Sequence, residues 1–364
     1  MINILARTVR DARFAPETSA LLDLIGPQAG PITYDDLVAD RASPPDPEVA
    51  GHAEPVRVRT DLLLVRGESD GLLPWGEIDG LLLRRDTDGL LLRGESDEPL
   101  PHQETNEPLL RGKTPLRVRL YRHAVETPRP LLLWLHGGAF VGGSLADVDV
   151  ACSALARRAG VNVASLDYRL APEHPFPAAL HDTYDAFQWL AANGAAIGGD
   201  GRVAAGGQSA GANLVAAACL LARDRGGAQV LRQILCYPAL DFGRDTESSR
   251  LFDGVLLDSS LEEWYEAQYL AGQPVTPYAA PLRAQTVEGL PPALILGAGR
   301  DPLRDEAREY AGRLDQAGVD VSYLEYEDTM HAFLNFPGAL SAAGQAIRDI
   351  ADDLGRFFAT NDRP

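Results

Sequence analysis

The sequence predicts an α/β fold, a mostly parallel central sheet flanked by helices. Three observations predict it. From Leu116 onward, short apolar runs alternate with longer helix-like runs, the signature of repeated βα units. A G-x-S-x-G pentapeptide, Gly207-Gln208-Ser209-Ala210-Gly211, stands between an apolar run and an Ala/Leu-rich helical run. Asp301 and then His331 follow downstream, each after a further strand-like run. Such placement puts them at strand carboxyl ends, where open α/β sheets carry their sites.

Taken in order, residues 1–50 read as helical patches, Ser19–Ile25 and Tyr34–Ala39, broken by Pro, Gly and the run Ser43-Pro44-Pro45-Asp46-Pro47. Residues 61–100 repeat with a period of nine, roughly G-E-S-D-G-L-L-L-R. Asp70-Gly71, Asp79-Gly80 and Asp88-Gly89 share one phase and signal turns, and the Leu runs between them read as short strands. Calcium-binding β-rolls also have a nine-residue period, but their paired glycines are missing here. A metal-free β-meander or a poorly ordered insertion is therefore expected. The strands expected beyond it are Leu116–Tyr121, Leu131–Leu135, Val161–Leu166, Val203–Gly206, Gln233–Cys236, Ala293–Leu296 and Val321–Tyr326. The expected helices are Val150–Arg158, Pro177–Ala192, Ala210–Ala222, Pro302–Gln316 and Ala339–Phe358. Asp241–Pro281 interrupts the alternation and carries a helix at Ser259–Leu270.

The pentapeptide carries the chemistry. Strand, tight turn, serine, helix is the context of a nucleophile elbow, with small residues flanking a sharply turned serine. Upstream, Leu131–Leu135 ends in His136-Gly137-Gly138-Ala139-Phe140, a strand followed by a glycine-rich loop that can offer backbone N–H groups to an oxyanion. The order Ser, Asp, His differs from the orders of chymotrypsin-like and subtilisin-like enzymes. Asp305 is the rival to Asp301 as the acid, but it falls a helical turn later and suits a helix start. Cys152 has no G-x-C-x-G context, and Ser144 follows two glycines without an elbow.

These residues resemble the hormone-sensitive-lipase-like α/β-hydrolases, the bacterial esterases with an HGG loop. The matching stretches are His136–Phe140, Asp167-Tyr168-Arg169-Leu170-Ala171-Pro172-Glu173, Gly207–Gly211, Tyr237-Pro238, Asp301-Pro302-Leu303-Arg304-Asp305-Glu306 and His331-Ala332-Phe333. They run from about residue 116 to the C-terminus. The resemblance implies an α/β-hydrolase fold with a helical cap and a serine carboxylic ester hydrolase acting on short acyl chains. It implies a triad of Ser209, Asp301 and His331, with an oxyanion hole from the N–H groups of Gly137, Gly138, Ala139 and Ala210. His136 and Glu173 would be structural. Residues 1–55 and 241–285 would form the cap, 113–364 the catalytic domain, and 56–112 an insertion the family pattern does not explain. Two positions depart from the family: Ala139 replaces the third glycine, and Gln208 replaces an acidic residue. They bear on pocket size and local polarity rather than on reaction class. An amidase or formamidase on the same triad is the alternative. So is a small-molecule receptor of the same fold, from which the presence of His331 argues away.

Composition narrows the partners. The chain of 364 residues has 33 basic and 52 acidic side chains, a formal charge of −19, which disfavours nucleic acid and anionic membrane surfaces. Cys152, Cys219 and Cys236 are odd in number and widely spaced, so buried free thiols are expected rather than disulfides or a zinc site. No signal peptide and no membrane span is read, so a cytoplasmic location is expected. A small-molecule ester is the expected partner, with no cofactor and no metal. The Leu runs of the repeats call for burial against the body or against a second copy in a homodimer.

Overall fold

The computed structural model describes residues 127–243, 245–257 and 259–361, together with 7–8, 16–18, 20–21, 51, 58–64, 77–78, 81–86, 89–94 and 116–122. Its strands are β1 (Arg7–Thr8), β2 (Val58–Leu64), β3 (Glu77–Ile78), β4 (Leu81–Asp86), β5 (Gly89–Gly94), β6 (Leu116–Arg122), β7 (Arg129–Leu135), β8 (Asn162–Asp167), β9 (Gly199–Gln208), β10 (Gln233–Cys236), β11 (Ala293–Arg300) and β12 (Val321–Met330). The helices are α1 (Asp149–Arg158), α2 (Ala178–Asn193), α3 (Ala210–Arg225), α4 (Glu247–Leu251), α5 (Ser259–Leu270), α6 (Arg304–Gln316) and α7 (Ser341–Thr360).

All the strands join one sheet in the order β1-β12-β11-β10-β9-β7-β8-β6-β2-β5-β4-β3. From β1 to β8 the pairing is parallel. From β8 outward through β6, β2, β5, β4 and β3 it is antiparallel. The mostly parallel part is buried on both faces, as its continuous apolar runs require. Alternate residues of β7 make the point. Leu131, Leu133 and Leu135 pack with Leu180, Phe187, Leu214 and Val215 from α2 and α3. Leu132 and Trp134 face the other way and pack with Leu155, Ile350 and Leu354 from α1 and α7. Each fully buried Leu contributes roughly 1.5–3 kcal/mol relative to exposure.

On β6 the pattern alternates instead. Leu116, Val118 and Leu120 are buried, while Arg117 and Arg119 pair with Asp167 and Asp149. In α7, Ala343, Ala346, Ile347, Ile350, Leu354 and Phe358 form one apolar stripe at helical spacing. Arg232, just before β10, grips Asp353 of that helix through two bonds of 2.6 and 2.7 Å.

Several elements run further than their apolar cores. β9 starts at Gly199, β11 continues to Arg300 and β12 to Met330. The added residues are mostly glycines and polar groups, with the buried Ala298 and Met330 among them. Gly299 shows why: a Cβ there would lie 2.2 Å from the carbonyl oxygen of Glu327 on the neighbouring strand. The short helix α4 was not expected. Its Thr246 cap, reciprocated by Ser249, closes a capping box.

Within residues 1–55, β1 adds a parallel edge strand beside β12. Thr18 donates to the Asp328 carbonyl and Glu17 accepts from Ser341 at the start of α7. The expected helix at Tyr34–Ala39 lies outside the described residues. In the repeats, β4 and β5 pair antiparallel from Leu81↔Gly94 to Asp86↔Gly89. β5 then pairs with β2, which runs beside the whole of β6. The first repeat, Gly67–Leu73, lies outside the described residues. Among the described residues no helix is long and apolar enough to cross a membrane.

Candidate active site

Five strand ends converge on one edge of the sheet: β7 delivers His136, β9 Ser209, β10 Tyr237, β11 Asp301 and β12 His331. Ser209 has φ 55° and ψ −121°, a region that non-glycine residues rarely occupy and that costs of order 1–3 kcal/mol. Neighbouring glycines make the turn sterically feasible. A Cβ on Gly207 would sit 2.6 Å from the backbone of Gly211, and one on Gly211 would sit 2.3 Å from the His136 carbonyl oxygen. The turn is held by the Ser209 N–H donating to the Cys236 carbonyl. It leaves Ser209 at the N-terminus of α3, where backbone N–H groups point outward.

His331 Nε2 lies 2.8 Å from Ser209 Oγ, and His331 Nδ1 lies 2.8 Å from Asp301 Oδ2. A carboxylate only accepts, so Nδ1 carries the proton. Nε2 is then left as an acceptor for the Ser209 hydroxyl. The other Asp301 oxygen accepts the Leu303 N–H at 2.8 Å, which fixes the carboxylate plane. All three side chains are buried. The structure therefore brings the three expected residues together in one relay.

The glycine loop stands beside them. Gly138, Ala139 and Phe140 all have positive φ, 118°, 52° and 67°. The carbonyl of Gly138 accepts from Val141 and Gly142 and closes the turn. A Cβ on Gly137 would lie 3.4 Å from the Ser209 Cβ, so this loop borders the nucleophile. Ala139 adopts the left-handed φ that a glycine would take more easily. His136 is not near the relay chemically. Its Nδ1 lies 2.7 Å from the Gly137 carbonyl, and its ring stacks on Tyr168 at 4.3 Å. Burial pushes its pKa down, so it stays neutral. Phe140 stacks on Tyr269 of α5 at 3.8 Å, which ties the loop to that helix.

Asp305 sits elsewhere. Its Oδ2 accepts the Ser248 N–H of α4 at 2.8 Å, and Arg304 binds its Oδ1 at 2.9 Å. Burial raises its pKa, but the bonds from Arg304 and Ser248 outweigh that and hold it below the usual range. It anchors α4 to α6. Ser144 is taken up by Asp147, and Glu173 is exposed. Cys152, Cys219 and Cys236 are buried free thiols.

Sequence reading assigned no role to Glu306. It is buried beside the site, and its Oε2 accepts from the N–H groups of Leu240 and Asp241 at 2.7 and 2.9 Å. Burial pushes its pKa up to about 8 despite those bonds. The signal was its place on the apolar face of α6 with Ala307 and Tyr310. An open pocket leads to Ser209, with Phe140, Phe242, Leu257 and Leu303 on its apolar wall and the acids Asp241, Glu262, Glu266 and Glu306 also lining it.

The sequence pattern of the alpha/beta hydrolase fold family matches residues 132–335. The chain belongs to the α/β-hydrolase family. The HGG-type loop places this α/β-hydrolase in the hormone-sensitive-lipase-like branch. It is 44% identical over 238 residues to the carboxylic ester hydrolase LipN of Mycobacterium tuberculosis. That match covers 62% of this chain and 63% of LipN, so it spans somewhat less than two thirds of that relative. It is 36% identical over 247 residues to an ethyl acetate hydrolase of Pseudomonas putida, covering 66% of this chain and 78% of that protein. Among solved structures, an esterase from the archaeon Pyrobaculum calidifontis superposes with a TM-score of 0.64 at 41% identity, over 66% of this chain and 81% of that one.

Proposed function

We propose that this α/β-hydrolase is a serine carboxylic ester hydrolase for short acyl esters, working through an acyl-enzyme on Ser209. The observation that carries the reading is the unbroken relay Ser209–His331–Asp301, with two contacts of 2.8 Å. A serine hydroxyl is a weak nucleophile without an adjacent base. His331 takes the Ser209 proton as Oγ bonds to the ester carbonyl carbon. The carbonyl oxygen becomes an oxyanion, received by the N–H groups of Gly138, Ala139 and Ala210 with Gly137 beside them. Each such donor typically supplies about 3–4 kcal/mol. The intermediate collapses, the C–O bond to the alcohol breaks, and His331 returns the proton to the leaving oxygen. Water then repeats the cycle on the acyl-serine. Asp301 holds the imidazole tautomer and stabilises the imidazolium. The scheme uses no metal and no cofactor.

The pocket supports a short acyl chain: Ala139, Phe140, Phe242, Leu257 and Leu303 line it beside Ser209. A relative named for hydrolysing ethyl acetate supports the same substrate class. We assign residues 1–55 and 241–285 to the cap, 56–112 to an accessory insertion and 113–364 to the catalytic domain. Initial rates on p-nitrophenyl acetate, butyrate and dodecanoate test the reading. Acetate or butyrate should exceed dodecanoate at least tenfold in kcat/KM. Failure to hydrolyse any of the three would overturn it.

A further inference from the structure

The residue before the nucleophile is an amide where the family's commonest pattern has an acid. We propose that Gln208 is a positioning residue: its amide ties the nucleophile elbow to both flanks of His331, Tyr237 on one side and Asn335 on the other. The proposal rests on the triad reading above.

Gln208 is fully buried at the end of β9. The Tyr237 hydroxyl donates to its Oε1 at 2.9 Å, and its Nε2 donates to Asn335 Oδ1 at 2.5 Å. Tyr237 touches the histidine itself, and Asn335 lies four residues after it on the same turn. The Tyr237 ring meets the His331 ring edge-on at 5.1 Å and packs on Phe333 at 5.5 Å. Burial pushes the Tyr237 phenol well up, which keeps it a donor. Asn335 ends the 3₁₀ turn Phe333–Asn335, entered from His331 through Ala332 at φ 57°. Tyr237 itself has φ 34°, and its N–H donates to Leu296. Two backbone positions of left-handed φ therefore flank His331, and one amide bonds to the segments that carry them. Loss of that amide takes this partner from the buried Tyr237 hydroxyl, whose ring touches His331, and from the half-buried Asn335 amide.

A Glu at 208 can keep both contacts: with its carboxyl held protonated by burial, as at Glu306, one oxygen accepts from Tyr237 and the hydroxyl donates to Asn335.

The test compares Gln208→Ala and Gln208→Glu with the wild type on p-nitrophenyl acetate, after circular dichroism establishes folding. Gln208→Ala should lower kcat about 10- to 100-fold with KM changed less than about threefold, the pattern of a misplaced reacting group. Gln208→Glu should recover part of that loss, because it can remake both hydrogen bonds. A residue with a merely structural role would lower the melting temperature and leave kcat in place. A folded Gln208→Ala with wild-type kcat, or a folded Gln208→Glu no more active than Gln208→Ala, overturns the proposal. If Gln208→Ala does not fold, Tyr237→Phe and Asn335→Ala each remove one of the two contacts, and wild-type kcat in both overturns it equally. The NMR shifts of the His331 ring protons in these variants read its displacement without turnover. An inactive wild type would therefore count against the esterase reading and leave the Gln208 test standing on its own.

Discussion

Ser209 holds a strained backbone because two glycines, each with no room for a Cβ, let β7 and α3 close around it. That strain exposes its hydroxyl to His331. Asp301 and Asp305 stand four positions apart, yet the fold gives them separate tasks: one meets the imidazole, the other the N–H of Ser248. Asp301→Asn should therefore lower kcat by about 10⁴-fold, because the imidazole is left in the wrong tautomer. Asp305→Asn should stay within about tenfold. Measured kcat values for the two variants decide this, and a larger defect at 305 reverses the assignment. Glu306 is a second residue-scale case. Burial raises its pKa from the ordinary 4.5 to about 8, so the folded chain retains a proton that the unfolded chain has released across that window. Its stability contribution is complete below the lower value and is lost as pH rises through the upper one. Glu306→Gln stays neutral and keeps an acceptor for Leu240 and Asp241. Its melting temperature relative to wild type should rise between pH 5 and pH 8.5. An unchanged difference between the two pH values would contradict the buried-acid account.

Among the elements, α7 depends on an ion pair as well as on its apolar stripe. Arg232 and Asp353 are almost wholly buried, and removing one partner leaves a buried charge alone. Arg232→Met should cost about 3–5 kcal/mol in urea unfolding, whereas Arg232→Met with Asp353→Leu should recover much of it. A single-variant loss under about 1 kcal/mol would show that water compensates the carboxylate. The elements also show what was legible in the sequence. Gln233–Cys236 and Ser259–Leu270 have the residue ranges expected of them, because their apolar content and their hydrogen bonding end together. β9, β11 and β12 were cut short, because glycines and polar residues extend a strand that apolar runs alone cannot reveal. Helix α4, five residues long, has too little pattern to be read. Within the site, the meeting of Ser209, Asp301 and His331 followed from motif order. The roles of Glu306 and Asn335 did not, because both depend on contacts made across the fold rather than along the chain.

At the scale of the molecule, the sheet divides by chemistry. Its parallel half carries every strand end that contributes to the site, and its antiparallel half carries the repeats. β5 stands beyond β7, β8, β6 and β2 from β9, so the repeats lie several strands away from Ser209. Replacing residues 67–100 with a short Gly/Ser linker should keep kcat on a small acetyl ester within about tenfold, a barrier change under ~1.4 kcal/mol. Light scattering on the same protein should show any change in assembly, since Leu runs stripped of their cover or partner alter association. A folded deletion protein without detectable turnover would show that the repeats help build the site. On the proposed mechanism one serine, Ser209, becomes covalently acylated. The most direct measurement is intact and peptide mass spectrometry after reaction with a phosphonate ester that traps serine nucleophiles. One adduct per chain should form, on the peptide holding Ser209, with parallel loss of ester hydrolysis and no adduct in Ser209→Ala. Full hydrolysis persisting in protein fully labelled on Ser209, or an adduct on another residue that tracks the loss of activity, would contradict the account.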